Sequence, residues 1–257
     1  MTAEDIEDLF VRSLQGDYDD DSPWEAVHSL RQAGTREIFE HAARWVESDQ
    51  PLKRARGLDV LAQIGKTAEH PSNAFPEESY DLVSQALRKE REFLPLQSAI
   101  FALGHLGDAR AVPLIAEFHA DTRAEIRFSV AFALGCFPDD PLSVSTLLTM
   151  TGDADGDVRD WATFGVGVLG NQDSVELRDH LYRRLNDPNS DANEEAVVGL
   201  AKRHDLRVLP KLIDLLSQSS ISGRAVEAAC LLLGMKDDCK EWSAQDYLNA
   251  LSQRFGF

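Results

Sequence analysis

A segment of eight residues recurs along this chain of 257 residues. Its clearest copy reads Phe101-Ala-Leu-Gly-His-Leu-Gly-Asp108, and it returns as Phe132-Ala-Leu-Gly-Cys-Phe-Pro-Asp139 and as Phe164-Gly-Val-Gly-Val-Leu-Gly-Asn171. The copies begin 31 and then 32 residues apart, and looser copies begin at Asp59 and Val198. A period in this range is typical of stacked repeat proteins, in which each repeat packs on its neighbours.

The segments between the turns have helical spacing of their apolar residues over about 12–15 positions. Short turns rich in Asp and Gly separate them, and the alternating pattern of a strand is absent from the sequence. The sequence therefore predicts an all-α solenoid of about seven helical hairpins. Residues 1–21 are expected to form an acidic capping helix and loop, and residues 22–257 the solenoid.

One hairpin contains an insertion at residues 66–76, where Pro71, Ser72 and Asn73 indicate a loop rather than a longer helix. Insertions in repeats lie on one face, which is often where a partner binds. A passive surface loop is the alternative, because long loops cost little free energy.

The chain is strongly acidic, with 44 Asp and Glu against 26 Lys and Arg and a net charge of −18. Residues 1–25 hold nine acids and one base. Such a charge repels nucleic-acid phosphates and anionic lipid, so we expect neither a nucleic-acid nor a membrane partner. The negative charge favours binding to a basic partner, or it serves only to keep the surface well solvated.

The N-terminal sequence lacks the basic and apolar regions of a signal peptide, and no segment reaches the ~20 apolar residues of a membrane helix. The cysteines are odd in number, and Cys136 and Cys230 lie in apolar helical patterns, which is typical of reduced thiols. These features predict a cytoplasmic protein.

The repeats resemble a known family. Val158-Arg159 followed by Phe164-Gly-Val-Gly, and Ala109-Arg-Ala-Val-Pro-Leu-Ile115 after Leu106-Gly-Asp, are similar to HEAT-like repeats of the phycobilisome-lyase type. The resemblance covers about residues 51–235. It implies a right-handed superhelix, with the first helix of each hairpin outside and the second lining a concave face.

The resemblance extends to an Asp that precedes a charged residue by six positions at the turns between hairpins. Asp121 precedes Arg127 and Asp153 precedes Arg159, whereas Asp187 precedes Asn193. We expect the Asp to accept backbone N–H bonds and the Arg to reach the neighbouring repeat, in a structural role.

No motif in the sequence predicts a metal, a cofactor or a catalytic group. Gly165, Gly167 and Gly170 fit a dinucleotide fingerprint, but they fall late in a helix and not in a strand-to-helix turn. Alternate acids from Asp17 and from Asp153 lack the later residues of a calcium loop. A HEAT-repeat hydroxylase holds iron through His-Glu dyads, and this sequence has none.

We therefore expect a non-enzymatic scaffold or adaptor that binds a partner protein or peptide on the concave face. Two alternatives stay open: a bilin lyase or lyase-like chaperone, suggested by the repeat type, and an immunity or inhibitor protein for a basic toxin, suggested by the acidity. The partner and the oligomeric state are not indicated.

Polar residues of the second helices recur in register and form the expected binding stripe. Arg110 aligns with Arg207, and Glu117 aligns with Asp214, opposite the apolar arc of each helix. A groove of mixed charge suits a folded protein or peptide. The stripe comprises Glu40, His41, Arg44, Arg88, Arg110, Glu117, His119, Arg207 and Asp214.

Overall fold

The computed structural model describes residues 1–235 and 242–256, and all regular secondary structure in these ranges is helical. The all-α prediction is therefore confirmed. The chain forms two compact units, residues 1–137 and 138–257. The expected division after residue 21 stays a prediction.

The helices of the first unit follow one another along residues 1–137. They are α1 (Ala3–Arg12), α2 (Asp21–Ala33), α3 (Arg36–Val46), α4 (Pro51–Gln63), α5 (Pro76–Lys89), α6 (Phe93–Leu106), α7 (Val112–Ala116) and α8 (Ala124–Gly135). The second unit continues with α9 (Pro141–Met150), α10 (Gly156–Phe164), α11 (Val175–Arg184), α12 (Ser190–Lys202), α13 (Leu209–Leu216), α14 (Gly223–Leu233) and α15 (Ala244–Phe255).

Local sequence determines where several of these helices begin and end. Thr2 and Ser243 form capping boxes with Asp5 and Asp246, in which each side chain accepts the backbone N–H of the other residue. Gly34 ends α2 in the left-handed conformation at φ 56°, which glycine adopts without strain.

The helices form two rows that differ in spacing. The close row, α2, α4, α6 and α8 in the first unit and α10, α12 and α14 in the second, packs each helix tightly along the next within its unit. The open row, α3, α5 and α7 in the first unit and α9, α11, α13 and α15 in the second, makes far fewer contacts between neighbours. In a curved stack, the more closely spaced row lies on the inner side.

This spacing corrects one expectation. The second helices of the hairpins form the open row, so they lie on the outer side of each unit. The prediction that they line a concave face is wrong, and the first helices form the inner face instead. The helix periodicity could not reveal this, because both rows carry apolar stripes.

Small residues allow the close row to pack tightly. A Cβ atom added at Gly104 of α6 would lie 2.8 Å from the Cα of Ala133 on α8. A Cβ atom at Gly199 of α12 would lie 2.8 Å from the Cα of Gly167. Gly104 and Gly167 are both buried, and they hold the same position in their repeats.

The glycine-rich segment after α10 continues as a π-helical turn over Gly165–Leu169. A π turn misaligns backbone carbonyls, and two side chains of the close row satisfy them. Arg203 donates to the carbonyls of Val166 and Gly167 at 2.7 and 2.8 Å, and Lys202 donates to that of Val168 at 2.8 Å. Gly167 serves helix packing at this turn, since a Cβ atom there would lie 3.3 Å from the Glu195 carbonyl oxygen of α12.

The Asp and Arg residues at the turns link successive repeats. Arg159 donates to both carboxylate oxygens of Asp187 in the next repeat, at 2.9 and 2.8 Å, and to the backbone oxygen of Asp153 at 2.9 Å. Asp187 in turn accepts the backbone N–H of Asn189 at 2.9 Å. The expected structural role of this pattern is confirmed.

The inserted loop occupies residues 64–75, because Pro76 already begins α5. Asn73 is buried and donates to the Leu61 carbonyl at 2.8 Å. Lys66 donates to the carbonyl of His105 on α6. These bonds hold the loop against the close row.

Replacing Gly104 with Ala should lower the free energy of unfolding by ~1–3 kcal/mol, since the new methyl group meets the α8 backbone. Gly223→Ala is the matched control. A Cβ atom there has no neighbour within 4 Å. Because alanine has less conformational freedom than glycine in the unfolded chain, the free energy of unfolding should stay equal or rise by up to ~1 kcal/mol. Denaturant unfolding of both variants decides this. Equal stabilities would contradict the close approach of α6 and α8.

Arg159→Ala should cost about 2–4 kcal/mol, because it leaves a buried carboxylate with only one of its two arginine partners. Arg184 still contacts Asp187 at 2.9 Å. Arg183, exposed on α11, provides the control substitution Arg183→Ala. Thermal melting of both variants checks the difference, and a wild-type midpoint for Arg159→Ala would show that the bridge contributes nothing.

Candidate functional site

A cleft of about 590 Å³ opens on the close row of residues 1–137. Four consecutive close-row helices contribute to it, from α2 to α8, together with the loop before α2. Its volume lies within the ~300–1,000 Å³ that is typical of ligand sites.

Aromatic rings form much of the cleft lining. The Phe101 ring on α6 packs edge-on against Phe132 on α8, with centroids 5.1 Å apart, and His105 lies 5.3 Å from Phe132. The Trp24 side chain on α2 also lines the cleft. All four side chains are half-buried, so each keeps a surface that faces the cleft. Gln97 on α6 adds an amide to this lining.

A buried polar network builds one wall of the cleft. The Tyr18 hydroxyl lies 2.9 Å from an Asp59 carboxylate oxygen and 2.9 Å from the Ser98 hydroxyl. Arg56, only 1% exposed, lies under the Tyr18 ring at 4.1 Å and donates to the Tyr18 carbonyl at 2.7 Å. Arg31 donates to the Asp59 carbonyl at 2.8 and 2.6 Å. These bonds fix the loop before α2 to α4 and α6.

Burial lowers the pKa of His105 to about 4, and the positive charges of Arg31 and Lys66 act in the same direction. The imidazole is therefore neutral near pH 7. A neutral ring offers the cleft one donor and one acceptor without adding charge.

The close row of residues 138–256 presents a different, acidic surface. Arg224 of α14 donates to Glu195 of α12 at 2.8 Å and to Glu227 at 2.9 Å, and its guanidinium lies 5.5 Å from the centre of the Phe164 ring. Asp160 of α10 is near enough to raise the pKa of Glu195 through its charge. We call Asp160, Glu195, Arg224 and Glu227 the acidic cluster.

Two carboxyl groups of the acidic cluster, those of Glu195 and Asp160, hold protons unusually tightly. The pKa of Glu195 is raised to about 7, chiefly by burial, with the charges of Asp160 and Glu227 acting in the same direction and Arg224 in the opposite one. Burial also raises the pKa of Asp160 to about 6, together with the charges of Asp191 and Asp157. The single positive charge of Arg224 therefore does not balance the three carboxyl groups of the acidic cluster.

The residues of the sequence-predicted stripe lie on the open row or beside it. Arg110 and Arg207 are in register, as the alignment predicted, and each guanidinium already has three partners within the protein. These partners are Asp108, Glu77 and Tyr80 for Arg110, and Asp205, Asp179 and Tyr182 for Arg207.

The other stripe residues do not converge on one site, although Arg88 and Glu117 line the same small cleft. His41 is stacked on Phe10 with ring centroids 4.0 Å apart, between α1 and α3. The His119 Nδ1 atom lies 2.8 Å from the Ala116 carbonyl oxygen. The remaining stripe residues are exposed along the open row: Glu40, Arg44, Arg88, Glu117 and Asp214. That these residues bind a partner stays a prediction.

Sequence reasoning missed the cleft, although one signal pointed to it. Phe101 and Phe132 hold the same repeat position, and a phenylalanine that recurs in register while remaining half-buried indicates an exposed aromatic surface. The polar wall had no such signal. Tyr18, Asp59 and Ser98 are far apart in the chain, and although Asp59 begins a looser copy of the repeat, no sequence spacing connects the three residues.

Neither a metal site nor a membrane span is found in residues 1–235 and 242–256. No three His, Cys, Asp or Glu side chains in these ranges are grouped so that they could hold a metal ion. Nor is any helix there both long enough and apolar enough to cross a bilayer.

Comparison with known protein families supports the repeat architecture. The family model described as HEAT repeats matches residues 80–167. The prediction of HEAT-like repeats is confirmed, whereas the phycobilisome-lyase type rests on the sequence resemblance.

Two known proteins are similar to this chain over more than the matched repeats. Protein YibA of Escherichia coli K12 is 33% identical over 109 residues, which span 42% of this chain and 38% of YibA. The X-ray structure of YibA matches 96% of this chain and 92% of that chain with a TM-score of 0.73 at 21% identity. An engineered protein matches 98% of this chain and 72% of its own, with a TM-score of 0.57 at 14% identity. At these identities the structures show the fold alone.

The raised pKa of Glu195 makes its effect on stability depend on pH. Below its unfolded pKa the carboxyl is protonated in both states, and as pH rises to about 7 the folded state loses stability relative to the unfolded one. Glu195→Gln should therefore stabilise the fold more at about pH 8 than at about pH 5. A gain of about 2–4 °C in Tm at the higher pH would correspond to roughly 1 kcal/mol.

Thermal melts of wild type and Glu195→Gln at both values measure this difference. The exposed Glu176 supplies the control, and Glu176→Gln should shift Tm equally at both pH values. If Glu195→Gln also shifts Tm equally, the carboxyl does not titrate in this range.

Proposed function

We propose that this chain is a protein-binding repeat protein that receives a segment of a partner polypeptide in the cleft of residues 1–137. The observation that carries the proposal is the joint contribution of four close-row helices to one aromatic-lined cleft. The HEAT repeats support the coarser statement, because solenoids present extended surfaces along their inner side.

The chemistry of the cleft favours a segment with apolar or aromatic side chains. Trp24, Phe101 and Phe132 offer half-buried rings, and aromatic anchors in pockets dominate the energy of many protein interfaces. Gln63 and Gln97 also line the cleft, and an amide side chain can both donate to and accept from a peptide backbone.

The wall of the cleft supports binding by being fixed in advance. Arg56 and Asp59 are almost fully buried and have hydrogen bonds to the segment from Ser13 to Tyr18. A preformed site loses less conformational entropy when a ligand binds than a site that must fold around it.

Peptide selection followed by matched substitution tests the proposal. A random peptide library is selected on the wild-type chain, and the affinity of enriched peptides is measured by fluorescence anisotropy. Phe101→Ala and Phe132→Ala should each weaken binding by about tenfold or more, since truncating an anchor residue commonly costs ~2 kcal/mol or more. Circular dichroism confirms that each variant keeps its helices.

The control variant carries Arg44→Glu and Glu117→Lys, two exposed positions on the open row. It should bind the selected peptides within about twofold of wild type. The reverse pattern, with binding lost in this variant and kept in the cleft variants, would place the site on the sequence-predicted stripe. A coloured adduct on co-expression with a bilin acceptor apoprotein would instead support the lyase alternative.

A further inference from the structure

We propose that the acidic cluster of residues 138–256 is a second binding position, which takes a guanidinium or ammonium side chain from a basic polypeptide. This inference goes beyond the cleft, because it uses different helices and a different chemistry. It rests on the arrangement of Asp160, Glu195 and Glu227 around Arg224 and on one buried oxygen that has no partner.

Arg224 shows what the cluster does with a cation. Its guanidinium joins carboxylates from two close-row helices, with Glu195 at 2.8 Å and Glu227 at 2.9 Å. It also lies near the face of Phe164. Carboxylates beside an aromatic face are the surroundings that a guanidinium prefers in proteins.

The internal arginine leaves acceptor capacity unused. The Glu195 carboxylate is nine-tenths buried, and its Oε2 atom has no hydrogen-bond partner. A buried carboxylate oxygen without a partner is unfavourable, and native proteins seldom tolerate it without a functional reason. The uncompensated charge extends to the surface through Glu227, whose side chain is 42% exposed, and through the half-buried Asp160.

The surroundings of the cluster are consistent with a cationic side chain and not with a bare metal ion. The charged groups that face it are Asp157 and Asp160 from α10, Asp191 and Lys202 from α12, and Arg224 and Glu227 from α14. Two of the six are positive, and no three of the acids in the described residues are grouped closely enough to hold a metal. Trp161 and Phe164 on α10 add aromatic surface, with ring centroids 5.8 Å apart.

A charge-matched comparison separates this position from the general acidity of the chain. The site variant carries Asp160→Asn, Glu195→Gln and Glu227→Gln. The control variant carries Glu4→Gln, Asp8→Asn and Asp17→Asn, all exposed in the N-terminal segment. At about pH 8, above the raised pKa of Glu195, each variant removes three negative charges, so a diffuse attraction to the whole chain would fall equally in both.

The probe is fluorescein-labelled octa-arginine, titrated by anisotropy in about 150 mM NaCl, where charges farther apart than about 8 Å are screened. The site variant should bind about tenfold more weakly than wild type, and the control variant within about twofold. Equal weakening in both variants would overturn the proposal, because it would show a diffuse field only.

Two further variants keep the outcome interpretable. Asp160→Asn with Glu227→Gln retains the buried Glu195–Arg224 pair and should still weaken binding by about threefold or more, even if the triple variant folds poorly. Phe101→Ala with Phe132→Ala removes cleft anchors and should leave octa-arginine binding unchanged. Loss of octa-arginine binding in the cleft variant, with retention in the site variant, would assign the cation to the cleft instead.

Discussion

The close approach of neighbouring helices at small residues is the constraint on which the rest of the structure depends. Gly104 meets the backbone of Ala133, and Gly199 meets that of Gly167, at distances that leave no room for a side chain. Because the open-row helices lack comparable contacts, one row is closely spaced and the other is not. The difference curves each unit and turns the close row toward the inside. The close row forms this inner surface because its small residues let neighbouring helices approach closely.

This arrangement leaves the outward positions of the close-row helices free to vary. Gly104 and Gly167 hold the same packing position in their repeats, while the half-buried position seven residues before each glycine carries Gln97 in one repeat and Asp160 in the other. Gln97 and Asp160 can therefore differ in chemistry without disturbing the packing beneath them. One repeat fold thus presents an aromatic cleft in one unit and an acidic cluster in the other.

The sequence predicted the features that depend on local spacing. The repeat period predicted stacked helices, and the Asp153–Arg159 spacing predicted the bridge between repeats. The choice of inner row could not be predicted in this way. Both helices of a hairpin carry apolar stripes, and only the packing distance between successive hairpins distinguishes them. The network of Tyr18, Asp59 and Ser98 joins distant segments, so no local pattern encodes it.

The central claim is that the close row, and not the open row, is the face that receives a partner. Carbene footprinting of the chain with and without a selected peptide tests it directly, because the label reports the solvent access of individual side chains. The account predicts reduced labelling of Trp24, Phe101 and His105, with no change at the exposed Val175 and Tyr182. Protection of the open-row side chains, with Phe101 labelled as before, would contradict it.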